Sequence, residues 1–431
     1  MVSLNTKQSE VMKKVISGDN LYIGGPGGVG KSFLIREIMN GFGGSTVLLA
    51  PTGIAALNIG GATVHSVFKL PLGILTKSDH NNVSQKVHDL FDKNGPVKRI
   101  VIDEISMVRQ DVFKAIDIQL RKARRLNIPF GGLQVIVVGD FYQLPPVVTN
   151  NEKKYFFKEY DSQFAFGGET WSQGSFNYFE LDEIMRQTDG VFIGHLQRIR
   201  QRAPGFEESV RFFNNWAIPN TEAVLEEDPV FLCTINRVAD QINQENYNSL
   251  DEKEYMFRGE VEGKFGNNKP SPENLGLKFG TKVLFTANDV NGQFKNGETG
   301  YVTGFVGKSV KVLKESNEQE ILVDKHTWEE RDYAVNGGSL ISFPVGKYKQ
   351  YPLKHGWAVT IHKSQGMSLD NAVIQMGRGA FASGQTYVAL SRLRTLEGMG
   401  LIGNILPSDV IVDPAISDFY KNGCRGIGLG I

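Results

Sequence analysis

The sequence predicts an α/β fold built on parallel sheets, on three observations. Apolar runs at residues 21–23, 47–49, 100–102 and 135–138 each lead into a loop rich in Gly, Pro or acidic residues, with helical patterns such as Val112, Ile116, Leu120 between them. Strands alternating with helices imply a parallel sheet whose ligands bind at the strands' carboxyl ends. The same alternation begins again near Phe231 and resumes near Trp357, so a second lobe is expected. Between these, over about residues 295–355, the period changes to two, with glycine breaks, which reads as a small all-β insertion.

Taken in chain order, the first element is a helix with Val11, Met12, Val15 and Ile16 on one face. Asn5 and Gln8 have the spacing of a capping box. The Gln8 amide equally suits recognition of an adenine edge, and both readings stand at this stage.

The run 21–23 and a helical pattern through Phe33, Leu34, Ile35, Ile38 and Met39 flank Gly25-Pro26-Gly27-Gly28-Val29-Gly30-Lys31-Ser32. Strand, glycine loop and helix is the context in which G-x-x-x-x-G-K-S cradles a triphosphate. Glycines let backbone N–H groups approach phosphate oxygens, and the helix N-terminus adds a favourable field. Lys31 is expected at the β- and γ-phosphates and Ser32 on Mg²⁺. The cofactors expected are therefore ATP and Mg²⁺. A polar, weakly patterned stretch over 70–97 then reads as a small insertion.

Val101-Ile102-Asp103-Glu104 ends a strand in adjacent carboxylates. Asp103 suits Mg²⁺, usually through water, and Glu104 suits polarising the attacking water. The bland alternative is a solvated strand end. Val138-Gly139-Asp140-Phe141-Tyr142-Gln143 delivers a second polar cluster to the same edge, with Gln143 able to sense the γ-phosphate; Pro145-Pro146 also stiffens a turn there. Arg186 (Met185-Arg186-Gln187) and Arg392 (Ser391-Arg392-Leu393) are candidates for the arginines that phosphoryl-transfer sites recruit, although lone arginines are commonly surface cations.

Composition narrows the class. With 431 residues, 41% of them hydrophobic, several cores can form. No apolar run reaches the roughly 18 residues of a membrane span, and residues 1–14 lack the apolar core of a signal peptide. Cys233 and Cys424 stand alone, too few for a disulfide framework or a thiolate metal site, so a cytoplasmic location is expected. The formal net charge of +0 confines any nucleic-acid site to a local groove.

The order and wording of these segments resemble superfamily 1 helicases, specifically the Pif-type 5′→3′ DNA helicases. The resemblance is carried by Gly24 to Ser32, Ala50-Pro51-Thr52-Gly53-Ile54-Ala55-Ala56, Thr63-Val64-His65-Ser66, Asp103 to Met107 and Gly139 to Pro146. It continues through Leu181 to Arg186, Val359-Thr360-Ile361-His362-Lys363-Ser364-Gln365-Gly366 and Tyr387-Val388-Ala389-Leu390-Ser391-Arg392. Pro129 to Gln134 and the Leu181 to Arg202 run resemble the Pif branch itself.

The resemblance implies two RecA-like lobes, a small wedge insertion in the first and an SH3-like all-β insertion in the second. The lobes are expected at 1–69 with 98–185 and at 186–294 with 356–431, the wedge at 70–97 and the β insertion at 295–355. It makes Arg186 and Arg392 arginine fingers, Gln8 the adenine reader, and Gln365 and Gly366 part of the motif coupling ATP to DNA. DNA contacts are implied at Pro51, Thr52, Gly53, Thr63, His65, Thr360 and His362, where hydroxyls and imidazoles suit backbone tracking without base reading. The implied partners are single-stranded and tailed duplex DNA, with G-quadruplexes as a further family substrate, for an enzyme acting as a monomer. Met1 lies almost on the first motif, as in a minimal bacterial or phage-type form. Two other readings are a DNA-stimulated ATPase that remodels protein–DNA complexes, and a RecD-like subunit of a larger assembly. The stretch 206–228 carries no readable motif.

Overall fold

The computed structural model describes residues 4–426 apart from 72, 185, 186, 188, 268 and 290, and excepting the side chain of Asn150. The chain divides into two compact units. One comprises Met1–Met185, Glu330–Val345 and Asp413–Ile431, the other Arg186–Glu329 and Gly346–Val412. Among the described residues no helix is long and apolar enough to cross a membrane.

The first unit is built on β1 (Leu21–Gly24), β2 (Thr46–Ala50), β3 (Ala62–Thr63), β4 (Arg99–Ile102), β5 (Gln134–Val138) and β6 (Asn177–Glu180). They form one parallel sheet in the order β3-β2-β4-β5-β1-β6. Every residue of β1, β2 and β5 is buried, which is why their sequences are nearly unbroken apolar runs. Val11 and Val15 of the helix Thr6–Ser17, and Leu34 and Ile38 of the helix Lys31–Phe42, pack with Leu21, Ile23, Val101 and Ile136 in one core. The stretch 70–97 holds two short helices, Lys77–Asn81 and Gln85–Leu90, both packed on the helix Gln110–Arg124.

Two segments lie elsewhere than their sequence positions led us to expect. The chain from Asp413 onward clusters with the first unit, not with the second lobe. The cause is aromatic packing by the helix Pro414–Lys421. Phe419 stacks on Phe166 at 4.1 Å, Tyr420 stacks on Tyr142 at 4.6 Å, and the Tyr420 and Tyr22 hydroxyls share a 2.6 Å hydrogen bond. Residues 330–345, part of the expected β insertion, also cluster with the first unit. There the Tyr333 hydroxyl accepts from the Leu48 N–H at 3.2 Å, and Asp332 pairs with Lys86 and Lys69.

Replacing Phe419 with alanine is expected to destabilise the first unit by about 3–5 kcal/mol, the range for deleting a buried phenylalanine ring. Urea denaturation followed by circular dichroism would measure it. A loss under about 1 kcal/mol would mean that the C-terminal helix is not part of this core.

The second unit carries a four-stranded parallel sheet in the order Ala358–Thr360, Val230–Cys233, Ala372–Gln375, Met399–Ile402. The unreadable stretch 206–228 is largely one helix, Phe206–Glu226, lying against the edge strand Met399–Ile402. Some of its polar residues, Asn214 and Thr221 among them, face protein. Thr221 Oγ1 accepts from the Leu401 N–H at 3.0 Å, and the Asn214 amide exchanges two hydrogen bonds with the Ile405 main chain. An edge strand needs such partners for its outward-facing backbone groups.

The all-β insertion is a five-stranded antiparallel sheet in the order Glu320–Val323, Ser309–Lys314, Thr299–Val306, Lys282–Phe285, Leu353–His355. It starts at Lys282, ahead of the expected boundary at 295, because Lys282–Phe285 is buried throughout and shows no alternation. Two parallel-sheet lobes carrying a small insertion of helices in one and an antiparallel insertion in the other match the predicted class.

Candidate active site

β4, β5 and β1 are consecutive neighbours in a parallel sheet, so their carboxyl ends share one edge. That edge collects the glycine loop after β1, Asp103 and Glu104 after β4, and Gly139 to Gln143 after β5.

At Gly25 the glycine loop leaves no room for a side chain. A Cβ on Gly25 (φ +138°) would lie 2.2 Å from the Leu181 carbonyl oxygen. Gly30, with φ +84°, precedes the helix Lys31–Phe42 and provides no side-chain cap. The first-turn N–H groups of a helix have no intrahelical acceptors, so an uncapped start of this kind suits an anion. Lys31 Nζ donates to the carbonyls of Gly25 at 2.7 Å and Pro26 at 2.8 Å. These neutral acceptors are weaker partners than phosphate oxygens. Val29 is buried, whereas Ser32 is exposed at the helix start.

The Gln8 amide bears on both readings of that residue. Its Oε1 accepts from the Asn5 N–H at 3.1 Å, and Asn5 Oδ1 accepts from the Gln8 N–H at 2.8 Å, which completes the capping box. Its Nε2, however, is buried without a hydrogen-bond partner, and an ideal Cβ on Gly30 would lie 3.0 Å from it. An orphaned donor beside the phosphate loop fits an adenine acceptor, while the other half of the amide serves the cap.

Asp103 is 8% exposed and accepts from the Glu104 N–H at 2.9 Å. Burial, then the neighbouring Glu104 charge, raises its carboxyl above the usual range, and the Lys31 ammonium opposes that rise. A buried carboxylate of this kind fits a site that supplies additional positive charge, such as a divalent cation. Glu104 has φ +49°, a left-handed conformation that costs a non-glycine residue about 1–3 kcal/mol. Gly139 lies beside it at φ +151°, where a Cβ would be strained and would sit 3.0 Å from the Ile105 nitrogen. Gln143 is 6% exposed; its N–H donates to the Asp140 carbonyl at 2.9 Å.

The candidate DNA contacts of the first unit follow β2 and β3. Thr52 and Thr63 are helix N-caps, their hydroxyls accepting from Ala55 N–H at 3.2 Å and Ser66 N–H at 3.1 Å. Pro51 and Gly53 flank the first cap and are half-buried. His65 is half-buried, with its pKa lowered by burial and by the Arg109 charge.

In the second unit Thr360 is 4% exposed, and its hydroxyl accepts from the Lys363 N–H at 3.4 Å. It lines a cavity of about 390 Å³ with Asn236, Asn243, Lys354, His355 and Lys363. Burial, then the Lys363 charge, lowers the Lys354 ammonium to about 8. His362 lies parallel to Phe381, ring centroids 6.0 Å apart, and burial lowers its pKa. Gln365 Nε2 is buried without a partner, and Gly366 has φ +80°. Arg392 is 2% exposed, with its guanidinium held by acceptors of its own unit. Arg186 lies outside the described residues.

A family model described as PIF1-like helicase matches residues 3–203. The chain is 30% identical to the ATP-dependent DNA helicase Pif1 of Campylobacter jejuni, over 95% of this chain and 96% of that protein. It is 32% identical to the Bdellovibrio bacteriovorus ATP-dependent DNA helicase Pif1, over 97% and 92%. The chain belongs to the PIF1-like helicase family. Its structure matches that of Bacteroides sp. Pif1 in complex with ADP-AlF4 with a TM-score of 0.89, at 30% identity and with both chains fully covered. The TM-score to Bacteroides Pif1 bound to single-stranded DNA is 0.69, at 32% identity, covering all of both chains.

Two residues near these PIF1-like motifs escaped the sequence reading. Lys354 carries no motif, and only its place one strand before Thr360 hints at it. Gln187 is 3% exposed and reaches the main chain on both sides of Arg392. Its sequence signal is its place in the Leu181 to Arg202 run, directly after Arg186, with no role attached to it there.

Proposed function

We propose that the chain is an ATP-dependent DNA helicase that moves 5′→3′ along single-stranded DNA and separates duplex ahead of it. The observation that carries this reading is the convergence of the glycine loop, Asp103–Glu104 and Gly139–Gln143 on one sheet edge in a PIF1-like chain. Its support includes a similar protein from Bacteroides whose structures are described in complex with ADP-AlF4 and bound to single-stranded DNA.

In this reading the Gln8 Nε2 donor takes an adenine acceptor. Backbone N–H groups of residues 25–32 and Lys31 Nζ hold the triphosphate. Ser32 and Asp103 hold Mg²⁺, which supplies charge neutralisation at the phosphates. Glu104 orients the attacking water and takes its proton, and Gln143 reads the γ-phosphate. Arg186 and Arg392 supply positive charge to the transition state, and Gln365 and Gly366 carry the nucleotide state towards DNA. Pro51, Thr52, Gly53, Thr63, His65, Thr360 and His362 contact the DNA backbone. Lys354 and Lys363 add positive charge beside Thr360, in keeping with a neutral chain that concentrates charge in one groove.

The segment 70–97 acts at the fork as a wedge, and the antiparallel insertion helps to enclose the strand. G-quadruplex DNA is a further substrate, the protein acts in the cytoplasm, and one copy suffices for translocation. The test is strand separation on duplexes with a single 5′ or a single 3′ tail. Unwinding is expected from the 5′ tail alone. Unwinding from the 3′ tail alone would place the motor in the opposite branch and remove the basis for the wedge assignment.

A further inference from the structure

We propose that Gln187 is a positioning residue for ATP hydrolysis, holding the main chain at Arg392 so that the arginine is presented in a fixed place. The proposal rests on the reading of Arg392 as a transition-state arginine.

Gln187 is nearly inaccessible, at 3% exposure. Its Nε2 donates to the Leu393 carbonyl at 2.7 Å and to the Ser391 carbonyl at 3.3 Å. These are the carbonyls immediately before and after Arg392. The residues are 204 and 206 positions apart in the chain, so no local helix or turn creates the contact.

The turn it grips is tied on two further sides. Arg392 Nε donates to the Val388 carbonyl at 3.0 Å, on the helix Gln385–Leu390. Its Nη1 donates to Ser364 O at 3.3 Å and Met367 O at 3.4 Å, and its Nη2 to Ser391 Oγ at 2.9 Å. The Arg392 carbonyl in turn accepts from the Leu369 N–H at 2.9 Å. The guanidinium therefore spans the segment that carries Gln365 and Gly366.

These bonds divide into two kinds. The guanidinium bonds named above are to neutral oxygens, which anionic phosphate oxygens can replace because a cationic donor bonds an anionic acceptor more strongly. Those of Gln187 are to the main chain and have no such competitor. When the Arg392 side chain exchanges partners, Gln187 keeps the Cα from which it swings in place. A buried amide that serves two main-chain carbonyls is also hard to substitute. Without it both oxygens lose a donor in a dry environment.

The test compares Gln187→Met, which keeps length and apolar bulk but removes the donor, with Gln187→His, which retains a ring N–H donor. DNA-stimulated kcat, KM for ATP, and affinities for ADP and for ADP with aluminium fluoride are measured with single-stranded DNA present. Gln187→Met is expected to lower kcat by roughly 10- to 100-fold, the range for misplacing a catalytic group. Affinity for the aluminium fluoride complex should fall by a similar factor, with KM and ADP affinity unchanged. Gln187→His should recover part of the loss. In an Arg392→Lys background the Gln187→Met effect should disappear, since the residue acts through Arg392.

An unchanged kcat in Gln187→Met overturns the proposal. So does full additivity with Arg392→Lys, or a parallel loss of ADP affinity, which is what general damage to the unit would give. If Gln187→Met does not fold, Gln187→Leu, which also removes the donor, carries the same cycle. Arg392→Lys alone tests the parent reading. A normal kcat in that variant overturns the arginine assignment itself, whereas a loss there with none in Gln187→Met overturns the Gln187 role alone.

Discussion

Lys31→Ala is expected to reduce DNA-stimulated ATP hydrolysis to assay background, a loss on the order of 10³ or more. The reason is electrostatic. Lys31 is the cation of the glycine loop, and its Nζ lies against the Gly25 and Pro26 carbonyls, within the loop that would hold the phosphates. Its charge also reaches Asp103, whose carboxyl it draws down against the effect of burial. Removing it leaves the charge that develops on the transferring phosphoryl group without the loop's cation. The fold has little stake in the ammonium, because its acceptors are two loop carbonyls and the helix behind it is anchored by Leu34, Ile35 and Ile38. Circular dichroism and single-strand binding should therefore match the unsubstituted protein. Hydrolysis near the normal rate would mean that the loop does not bind the triphosphate.

The parts of this architecture that were legible in the sequence are those where one physical requirement dominates. Strands β1, β2, β4 and β5 are buried from both faces and so read as apolar runs. The glycine loop was legible because backbone geometry excludes other residues, as the Gly25 contact with Leu181 demonstrates. Strands β3 and β6 are edges, one only two residues long and the other partly exposed, and neither leaves a periodic trace. The helix Phe206–Glu226 was hidden for a related reason. Asn220 and Thr221 point at an edge strand's backbone and Asn214 at the main chain just after it, so polar residues occupy positions where a buried face is ordinarily apolar.

Chain order alone places the C-terminal helix with the second lobe, whereas it clusters with the first unit through tertiary contacts such as the aromatic packing of Phe419 and Tyr420. Gln187 is the same case at the site. A buried glutamine has no pattern of its own, and its partners lie more than 200 residues away. Gln8 is intermediate. Spacing gave the capping box, but that one half of the amide remains unpartnered is visible only once the side chains are placed.

Glu104→Gln is expected to leave nucleotide and metal binding nearly intact and to slow turnover by on the order of 10²–10⁴, the usual contribution of a positioned general base. The amide keeps the shape of the carboxylate but cannot take a proton from water. Local geometry argues that this carboxylate is kept for chemistry and not for stability. Glu104 sits at φ +49°, where a side chain is strained, and adjoins Gly139, at φ +151°, whose Cβ would sit 3.0 Å from the Ile105 nitrogen. A residue that served only the fold would be relieved by glycine at such a position. Glu104→Gly should therefore fold with undiminished stability, as read by thermal melting, while losing at least as much activity as Glu104→Gln. That pairing of retained stability with lost turnover separates a catalytic group from a structural one. Normal hydrolysis in Glu104→Gln would move the general base elsewhere in the site. A marked loss of stability in Glu104→Gly would mean that the carboxylate holds the β4 turn together, with the left-handed backbone a by-product of that contact.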